Sequence, residues 1–451
     1  MITREETKAI ADKIFKLSDA DESEIIFWGG NLALTRFSED RIHQNVAENN
    51  VWLTYRAAYG KKTAKVISNN FEDESLKAIV SECKSAAKHS PEYDGLLPLL
   101  SQQEYKKVNA FHESTAEMSP EQRADIVEDV MKHCKKEKLH AFGFFSNILG
   151  NARPQEGFRH FAVANSNGLF GYYKASSAHL SVTVRRGSRF GWAQTNSTRL
   201  DKIKPEDVVS RAAGNILFCK DKKDIKPGKY NAILSSQAVS TLFMFMLNTF
   251  NGLAVQENNS IFQGKLGKKV MADKITIKDD PYHPDFQGVP FDYEGVPRKA
   301  LTLVNNGILE NFVYDRRTAS SLGVQPTGHG EPVPNQIGAF PYHVVIEGSN
   351  TLPDELIKST DHGILINRIW YVRFIDAFNV NVTGLTRAGT YLIENGKITG
   401  TVRDFRFNQN LIELFKNVDM VSAVRKTGNF IAPAMKVRNF NFSSYSGLDE
   451  K

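Results

Sequence analysis

Residues Ser235–Gly267 read SSQAVSTLFMFMLNTFNGLAVQENNSIFQGKLG, and the prediction of the fold starts from this stretch. Ser235 or Ser236 begins a helix, because a serine hydroxyl there can accept a hydrogen bond from a free N–H group of the first turn. Apolar side chains then recur at helical spacing, which predicts a single helix of about four turns. Asn251-Gly252 predicts its end, since both residue types tolerate the left-handed conformation common at helix ends.

This predicted central helix is apolar on nearly every side, which indicates that it is buried. Its main stripe consists of Val239, Leu242, Phe243, Met246, Leu247 and Phe250. A buried helix that opens onto a loop with Gly and Asn is a common position for catalytic groups. The polar side chains near its end are only Asn248, Thr249 and Asn251, and the stretch contains no His or Cys and no Glu before Glu257.

The segments around the central helix predict an α+β fold with large, mostly antiparallel β-sheets and flanking helices. Beyond the helix the chain forms a strand-rich C-terminal lobe, in which Asn305-Asn306-Gly307 is a strong hairpin turn signal. A short helix is expected at Arg316–Leu322, with Gly323 placed to end it.

Length and composition divide the 451 residues into three predicted units. Residues 1–102 form an N-terminal α+β unit, residues 103–225 form a second unit of similar plan, and residues 226–451 form the C-terminal β-rich domain. The charged stretch Asp221–Lys226, followed by Pro227-Gly228, marks the second boundary. Both N-terminal units are predicted to consist of a helix, several hairpin strands and a second helix. This similarity is explained either by internal duplication or by convergence of the hairpin composition, and the sequence leaves both explanations open.

Charge and hydropathy argue against a nucleic-acid or membrane partner. The formal net charge is +6 and is not concentrated, and the densest basic groups, Lys135–Lys138 and Arg185-Arg186, are interpreted as solvated faces. No apolar run approaches the roughly 18 residues that a membrane span needs. The N-terminus lacks a signal-peptide core, which predicts a cytoplasmic protein.

The three cysteines, Cys83, Cys134 and Cys219, are widely separated and odd in number. They are expected to be reduced thiols rather than a disulfide framework or a zinc knuckle. Cys219 ends a predicted helix on an apolar face, so packing is the preferred interpretation over nucleophilic catalysis. The sequence contains no GxSxG, GxGxxG or GxxxxGK[ST] motif.

Several short motifs follow one another in a fixed order along the chain. They are TRFSEDRIHQN (35–45), NSNG (165–168), FQGKLGKKV (262–270), EGVP (294–297), TGHG (327–330), NVTG (381–384) and YLIENGKI (391–398). Together they resemble the TldD/PmbA family over nearly the whole chain. In the TldD branch the resemblance implies a zinc peptidase, with HExxxH on a helix at this place and a Cys-containing segment near the C-terminus.

The chain is similar to the PmbA branch, also called TldE, which lacks that zinc motif and resembles a non-catalytic partner of TldD. The central helix has no HExxxH, and Lys426–Phe442 contains no Cys. The resemblance therefore implies a partner of a TldD-like catalytic subunit, or a self-dimer, in the proteolytic maturation of small peptides such as microcin-type precursors. It predicts no cofactor and no catalytic or metal-binding residue in this chain.

Two alternatives stay open. The older family label, modulator of DNA gyrase, implies a binding protein that acts on gyrase, although the charge distribution gives this no support. The other is an active zinc metallopeptidase with non-standard ligands, in which folding would bring dispersed histidines together with a carboxylate. These candidates are His283, His329, His343 and His362 with Asp280, Asp285 or Glu294. The plainer interpretation is that the histidines are ordinary polar residues of the surface or of loops.

Five residues are candidates for a peptide groove. Thr327, Gly328 and His329 lie in a loop that resembles one near the family's site, and glycines around a histidine let the backbone approach a ligand. The alternative is a flexible turn. Asn248 and Asn251 either contact the peptide or cap the helix, and the strand-rich lobe could bind an extended peptide along a sheet edge.

Overall fold

The computed structural model describes residues 2–148, 160–218 and 222–446, and the predicted role of Cys219 falls outside these ranges. The α-helices are α1 (Arg4–Leu17), α2 (Asp73–His89), α3 (Glu113–Ala116), α4 (Pro120–Lys136), α5 (Pro205–Phe218), α6 (Ser236–Phe243), α7 (Gly252–Gln256), α8 (Arg316–Leu322), α9 (Pro353–Lys358) and α10 (Leu411–Lys416). Two 3-10 helices lie at Leu200–Lys202 and Met244–Phe250. Among the described residues, no helix is long and apolar enough to cross a membrane.

The strands supply two large sheets. They are β1 (Glu22–Ser38), β2 (Arg41–Tyr59), β3 (Lys62–Ser68), β4 (His140–Ile148), β5 (His160–Asn165), β6 (Phe170–Lys174), β7 (Ala178–Arg186), β8 (Arg189–Ser197), β9 (Lys222–Lys223), β10 (Gly228–Leu234), β11 (Ile277–Asp279), β12 (Leu301–Asn305), β13 (Ile308–Leu309), β14 (Val344–Ile346), β15 (His362–Ile366), β16 (Ile369–Asp376), β17 (Asn381–Thr386), β18 (Thr390–Glu394), β19 (Lys397–Val402), β20 (Phe405–Asn410), β21 (Val418–Thr427) and β22 (Phe430–Tyr445).

The first sheet is antiparallel and is shared by both predicted N-terminal units. Its order is β3-β2-β1-β4-β7-β8, and β5 pairs with β1 and with β6. Strand β1 pairs with β2 on one side, and with β5 and then β4 on the other. The predicted boundary at residues 102/103 therefore separates strands that are hydrogen-bonded in one sheet.

Strand β1 runs through Gly29-Gly30, although two successive glycines favour an interruption between two short strands. The pairing with β2 continues through both glycines, which have φ angles of 131° and 148°. A Cβ atom on Gly29 would lie 2.2 Å from the carbonyl oxygen of Asn50 on the facing strand. Glycine is required here because the two backbones approach too closely for any side chain.

The second sheet is larger and mixed. Its main path is β13-β12-β11-β14-β22-β10-β15-β18-β19-β9, and β16, β17, β20 and β21 extend from β22. The pairs β10–β15, β14–β22 and β9–β19 are parallel, whereas the others are antiparallel. The predicted α+β class with large, mostly antiparallel sheets is confirmed. The three-unit division and the internal duplication stay predictions.

The central helix packs against this second sheet. Helix α6 begins as predicted, since the Ser235 Oγ accepts a hydrogen bond from the Ala238 N–H at 3.2 Å. The α-helix ends at Phe243, and the chain continues to Phe250 as a 3-10 helix, so the prediction of a continuous α-helix is wrong over its second half. Helix α6 contacts β10, β16, β21 and β22, which places it in the core of the C-terminal lobe.

The helical run ends at Asn251-Gly252 as predicted, since the 3-10 helix stops at Phe250, but the predicted left-handed conformation is wrong. Asn251 has a φ angle of −76°, and it is the N-cap of the next helix, α7. Its Oδ1 accepts a hydrogen bond from the Leu253 N–H at 3.1 Å. Asn prefers both positions, and here the N-cap role prevails because a new helix starts at once.

Candidate functional site

A short hairpin near residues 329–340 connects the two groups of predicted groove residues. Gly330 and Ala339 form an antiparallel bridge, and the Phe340 N–H donates to the His329 carbonyl at 3.2 Å. The Asn251 Nδ2 donates to the Ile337 carbonyl at 2.6 Å, and its Oδ1 accepts from the Ala339 N–H at 3.2 Å. The side chain of Asn251 thus fixes the returning strand of the hairpin to the end of the central helix.

Asn248 and Asn251 differ sharply in exposure. Asn251 is buried, and all of its contacts are to the protein's own chain. Asn248 is exposed, with the exposed Met244 one helical turn before it. Of these two candidates, only Asn248 presents its side chain to solvent.

The segment Thr327-Gly328-His329 is held from the inside of the protein. The Thr327 Oγ1 accepts a hydrogen bond from the Tyr314 N–H at 2.8 Å and contacts the His329 Nδ1 at 2.9 Å. Gly328 has a φ angle of 77°, and a Cβ atom on it would lie 2.7 Å from the Pro297 carbonyl oxygen. The glycine therefore allows close approach of another segment of this chain.

His329 lies at the centre of a buried polar cluster. Its Nε2 is 3.1 Å from the Asp279 Oδ1, and both side chains are 0% exposed. The other Asp279 oxygen accepts a hydrogen bond from the His343 N–H at 2.8 Å. His329 therefore lies in a loop, as the plainer interpretation allowed, but it is buried and not on the surface. Folding joins His329 and His343 through Asp279, rather than through Asp280, Asp285 or Glu294.

Electrostatics fix the charge states of this group. Burial acts to raise the pKa of Asp279, but His329, His343 and Arg298 outweigh it, so the pKa lies well below the ordinary carboxyl range. Burial lowers the pKa of His343 to about 3, although Asp279 opposes this effect. At neutral pH the cluster therefore contains an ionised Asp279 and a neutral His343.

A second part of the cluster contains two buried carboxyl groups, Asp292 and Glu294. Asp292 accepts hydrogen bonds from the N–H groups of Glu294, Val296 and Gly330 at 2.7 to 2.9 Å. Glu294 accepts one, from the Arg316 N–H at 2.9 Å. Burial, followed by the charge of Asp292, raises the pKa of Glu294 well above its ordinary value. Burial raises the pKa of Asp292 as well, but three N–H groups stabilise its anion, whereas Glu294 accepts only one, so Glu294 is the more easily protonated of the two.

Arg298 connects these parts. Its Nε donates to the Phe291 carbonyl at 3.2 Å, and its guanidinium lies 5.5 Å from the centre of the Tyr342 ring. The Tyr342 hydroxyl donates to Glu331, and burial raises the pKa of Glu331 to about 7. We refer to Asp279, Asp292, Glu294, Arg298, His329, Glu331, Tyr342 and His343 as the buried polar cluster.

The buried polar cluster and the central helix do not suit a zinc ion. The two ring nitrogens of His329 face Thr327 and Asp279, whereas the buried His343 Nδ1 has no hydrogen-bond partner in the described part of the chain. Within the described ranges, no group of three or more His, Cys, Asp or Glu side chains is placed to hold a metal ion. The helix residue Phe243 points into the core, between other aromatic rings.

The described cysteines are not activated nucleophiles. Cys83 and Cys134 are buried, and burial raises the pKa of Cys83 to about 11 and that of Cys134 to about 12. Nucleophilic attack requires the thiolate, which neither residue forms at neutral pH.

Sequence reasoning missed a cavity of about 320 Å³ at the start of helix α6, with both apolar and polar side chains in its walls. It lies between the two sheets, and Arg211 and Arg425 line it together with Ser236 and Gln237. Arg211 donates to Asp207 at 3.0 Å and to the Gln194 carbonyl at 3.2 Å. No local sequence pattern predicts the cavity, because the residues that line it come from distant parts of the chain.

The chain matches two domain models of one protein family, and several relatives and solved structures resemble it. Residues 113–217 match the PmbA/TldA metallopeptidase central domain, and residues 227–444 match the corresponding C-terminal domain. A metalloprotease of Methanocaldococcus jannaschii is 22% identical over 390 residues, which cover 82% of each chain. The metalloprotease PmbA of Escherichia coli O157:H7 is 22% identical over 73% of this chain and 72% of the relative. The crystal structure of TldE from Thermococcus kodakarensis has the same fold, with a TM-score of 0.83, 22% identity, and coverage of 96% of this chain and 99% of that one.

Proposed function

Since the chain belongs to the PmbA/TldD metallopeptidase family, we propose that it is the PmbA-type, TldE-like subunit, without a hydrolytic centre of its own. It acts as the partner of a TldD-like subunit that carries HExxxH, in the proteolytic maturation of small peptides of the microcin-precursor kind.

One observation carries this proposal: the central helix is built for packing. Phe243 and Met246 are fully buried, and the Phe243 ring lies 5.6 Å from that of Phe415 and 6.1 Å from that of Phe250. A zinc site needs imidazole groups free to face an ion and an acid to accept a proton from bound water. The polar residue on the solvent side, Asn248, can contact a peptide by hydrogen bonds but supplies neither function.

The buried polar cluster fits a structural role in this proposal. Its carboxylates and Arg298 receive or donate hydrogen bonds within the chain, and loop residue Phe291 packs 5.4 Å from Phe161 of the first sheet. The cluster thereby fixes the loop between β11 and β12 against the first sheet. We propose that this rigidity keeps a peptidase scaffold in the shape that its partner recognises.

The test compares the chain alone with the chain co-expressed with an HExxxH-bearing family member of the same genome. We expect zinc and peptide hydrolysis in the co-purified complex, and neither in the chain alone. Replacing the glutamate of the partner's HExxxH by Gln is the control, and it should abolish hydrolysis while the complex survives. Stoichiometric zinc in the isolated chain, with hydrolysis lost on chelation, would establish the chain as a metallopeptidase. Capture of gyrase without a family partner would instead favour the gyrase-binding alternative.

A further inference from the structure

The exposed apolar side chains of the protein are concentrated in one short segment. Sixteen large hydrophobic side chains are exposed among the described residues, and five of them lie between residues 370 and 378. These are Trp370, Tyr371, Phe374, Ile375 and Phe378, with exposures of 38 to 58%. We refer to these five residues as the aromatic surface. Scattered exposed hydrophobics are normal, but a contiguous set indicates an interaction site.

The geometry of β16 produces this surface. Strand β16 pairs with β17 alone within the described chain, so it is an edge strand. Its pairing shifts register between Trp370 and Arg373 and again between Phe374 and Asp376. Tyr371 has a φ angle of 55°, which is uncommon for an aromatic residue. These irregularities break the alternation of the strand and turn neighbouring apolar side chains to solvent together.

The aromatic surface is continuous with the central helix. The Phe374 ring lies 4.9 Å from the ring of Phe245, in the 3-10 helix, and the neighbouring Met244 is 44% exposed. The aromatic surface therefore borders the 3-10 part of the central helix.

The rim of the aromatic surface is positively charged. The Arg373 guanidinium lies 4.5 Å from the centre of the Tyr371 ring, and that of Arg387 lies 4.4 Å from the Trp370 ring. Neither arginine forms an ion pair with a carboxylate in the described part of the chain. Asp376, the single acid within β16, is occupied by hydrogen bonds from Asn379. Arginine and aromatic residues are the types that dominate the binding energy of interfaces.

We propose that the aromatic surface is the docking face for the HExxxH-bearing partner, which presents an apolar patch bordered by carboxylates. This inference rests on the proposed function. A twofold contact between two copies of this chain would place the positively charged rims of both copies in one interface. Charge complementarity therefore favours an acidic hetero-partner.

The experiment measures the affinity of the co-expressed partner for three variants of the full chain. The variant Ile375→Ser/Phe378→Ser removes apolar anchors, and Arg373→Glu/Arg387→Glu reverses the rim. We expect each to raise the Kd by about 30-fold or more, since anchor residues at interfaces have effects of this size. The matched control Ile67→Ser/Phe190→Ser alters side chains that are equally exposed elsewhere, and it should change the Kd by less than about threefold. Thermal unfolding of every variant verifies that it is folded.

The outcomes separate this inference from the proposed function. If the wild-type chain binds no HExxxH-bearing partner, the proposed function fails, and this inference fails with it. If the wild type binds and the two surface variants bind equally well, the inference alone is overturned. Dissociation of a self-dimer by the same variants, seen by light scattering, would make the surface a homodimer face and overturn the hetero-partner assignment. If the wild type binds a single-stranded oligonucleotide and the surface variants do not, the hetero-partner assignment is likewise overturned.

Discussion

Replacement of Phe243 by alanine tests whether the central helix is committed to packing. The side chain is fully buried, and its ring lies 5.6 Å from Phe415, 6.1 Å from Phe250 and 6.2 Å from Phe430. Removing a buried phenyl ring costs its transfer free energy and leaves a cavity, and together these amount to about 3 to 5 kcal/mol. We expect Phe243→Ala to lower the free energy of unfolding of the C-terminal lobe by that amount.

Hydrogen exchange measured by mass spectrometry across residues 236–250 provides the assay, because it reports this segment alone. A loss of 3 kcal/mol corresponds to amide exchange faster by about 100-fold where exchange follows opening of the lobe. The matched control is Met244→Ala, which changes the next residue, a side chain that is 44% exposed. The control should shift the stability by less than about 0.5 kcal/mol.

A change below about 1 kcal/mol for Phe243→Ala would refute the reasoning, since mutations that empty a well-packed core position cost more than this. It would mean that the core around the helix adjusts freely and that the position retains room for a different side chain. The packing of the central helix would then no longer indicate a subunit without its own metal site.

Three further predictions concern the polar cluster, the hairpin and the first sheet. The folded-state pKa of Glu331, about 7, exceeds the ordinary 4.5, so its contribution to stability is complete below pH 4.5 and declines as the pH rises through 7. The wild type should therefore lose stability relative to Glu331→Gln across this range in denaturant titrations, and a difference that is independent of pH would contradict the prediction. Asn251→Ala leaves two N–H groups unpaired in the interior and should lower the free energy of unfolding by about 2 to 4 kcal/mol. Asn248→Ala, at an exposed site, should lower it by less than about 0.5 kcal/mol. Equal melting temperatures for the two variants would show that Asn251 does not hold the hairpin. Gly29→Ala places a Cβ atom 2.2 Å from a backbone oxygen and should abolish soluble expression or lower the melting temperature strongly. Gly60→Ala, with a φ angle of 59° and nothing within 4 Å of the new atom, should cost only about 1 kcal/mol, and a similar loss in both variants would refute the close-approach argument.

Features that depend on neighbouring residues could be predicted from the sequence. The cap at Ser235 is present, and helix α8 begins at Asp315 as its N-cap and ends at Gly323, whose φ angle is 66°. The Asn305-Asn306-Gly307 turn joins β12 to β13 as expected. Each of these features is decided within a few residues, because caps and tight turns are satisfied by local hydrogen bonds.

The change of the central helix from α to 3-10 could not be predicted. The stretch Met244–Phe250 contains no Gly or Pro, and its apolar spacing is compatible with either helix. The choice is made by packing against aromatic rings from distant segments, including Phe415 and Phe430. Tertiary contacts of this kind override local preference.

The sequence offered Glu294, His329 and His343 as candidate residues, but it did not show that Asp279 joins the two histidines in one buried polar cluster. Asp279 and His343 are 64 residues apart, and they meet because β11 pairs with β14, with Asp279 opposite Val344. When the pairing of β11 with β14 is not known, the sequence gives no reason to place these two residues next to each other. One sequence feature could have indicated the cluster: three charged residues, Asp292, Glu294 and Arg298, lie in one short loop directly after the apolar Phe291.

Strand β22 contains a proline in its interior, and irregular pairing with the neighbouring strand accommodates it. Pro433 lacks an N–H group, and proline is uncommon in the interior of a strand. The strand nevertheless runs from Phe430 to Tyr445. Its pairing with β21 shifts register between Val421 and Val424, the residue opposite Pro433. The irregular pairing accommodates the missing donor.

Strand β1 has a consequence for how the protein can be divided. It is bonded to β2 along one side, while β4 and β5 from beyond residue 102 occupy the other. A fragment ending at residue 102 would leave a strand of 17 residues with its outer ladder open, a template for self-association. We therefore expect a fragment of the first hundred residues to self-associate, and a fragment that extends through β8 to keep both sides of β1 paired.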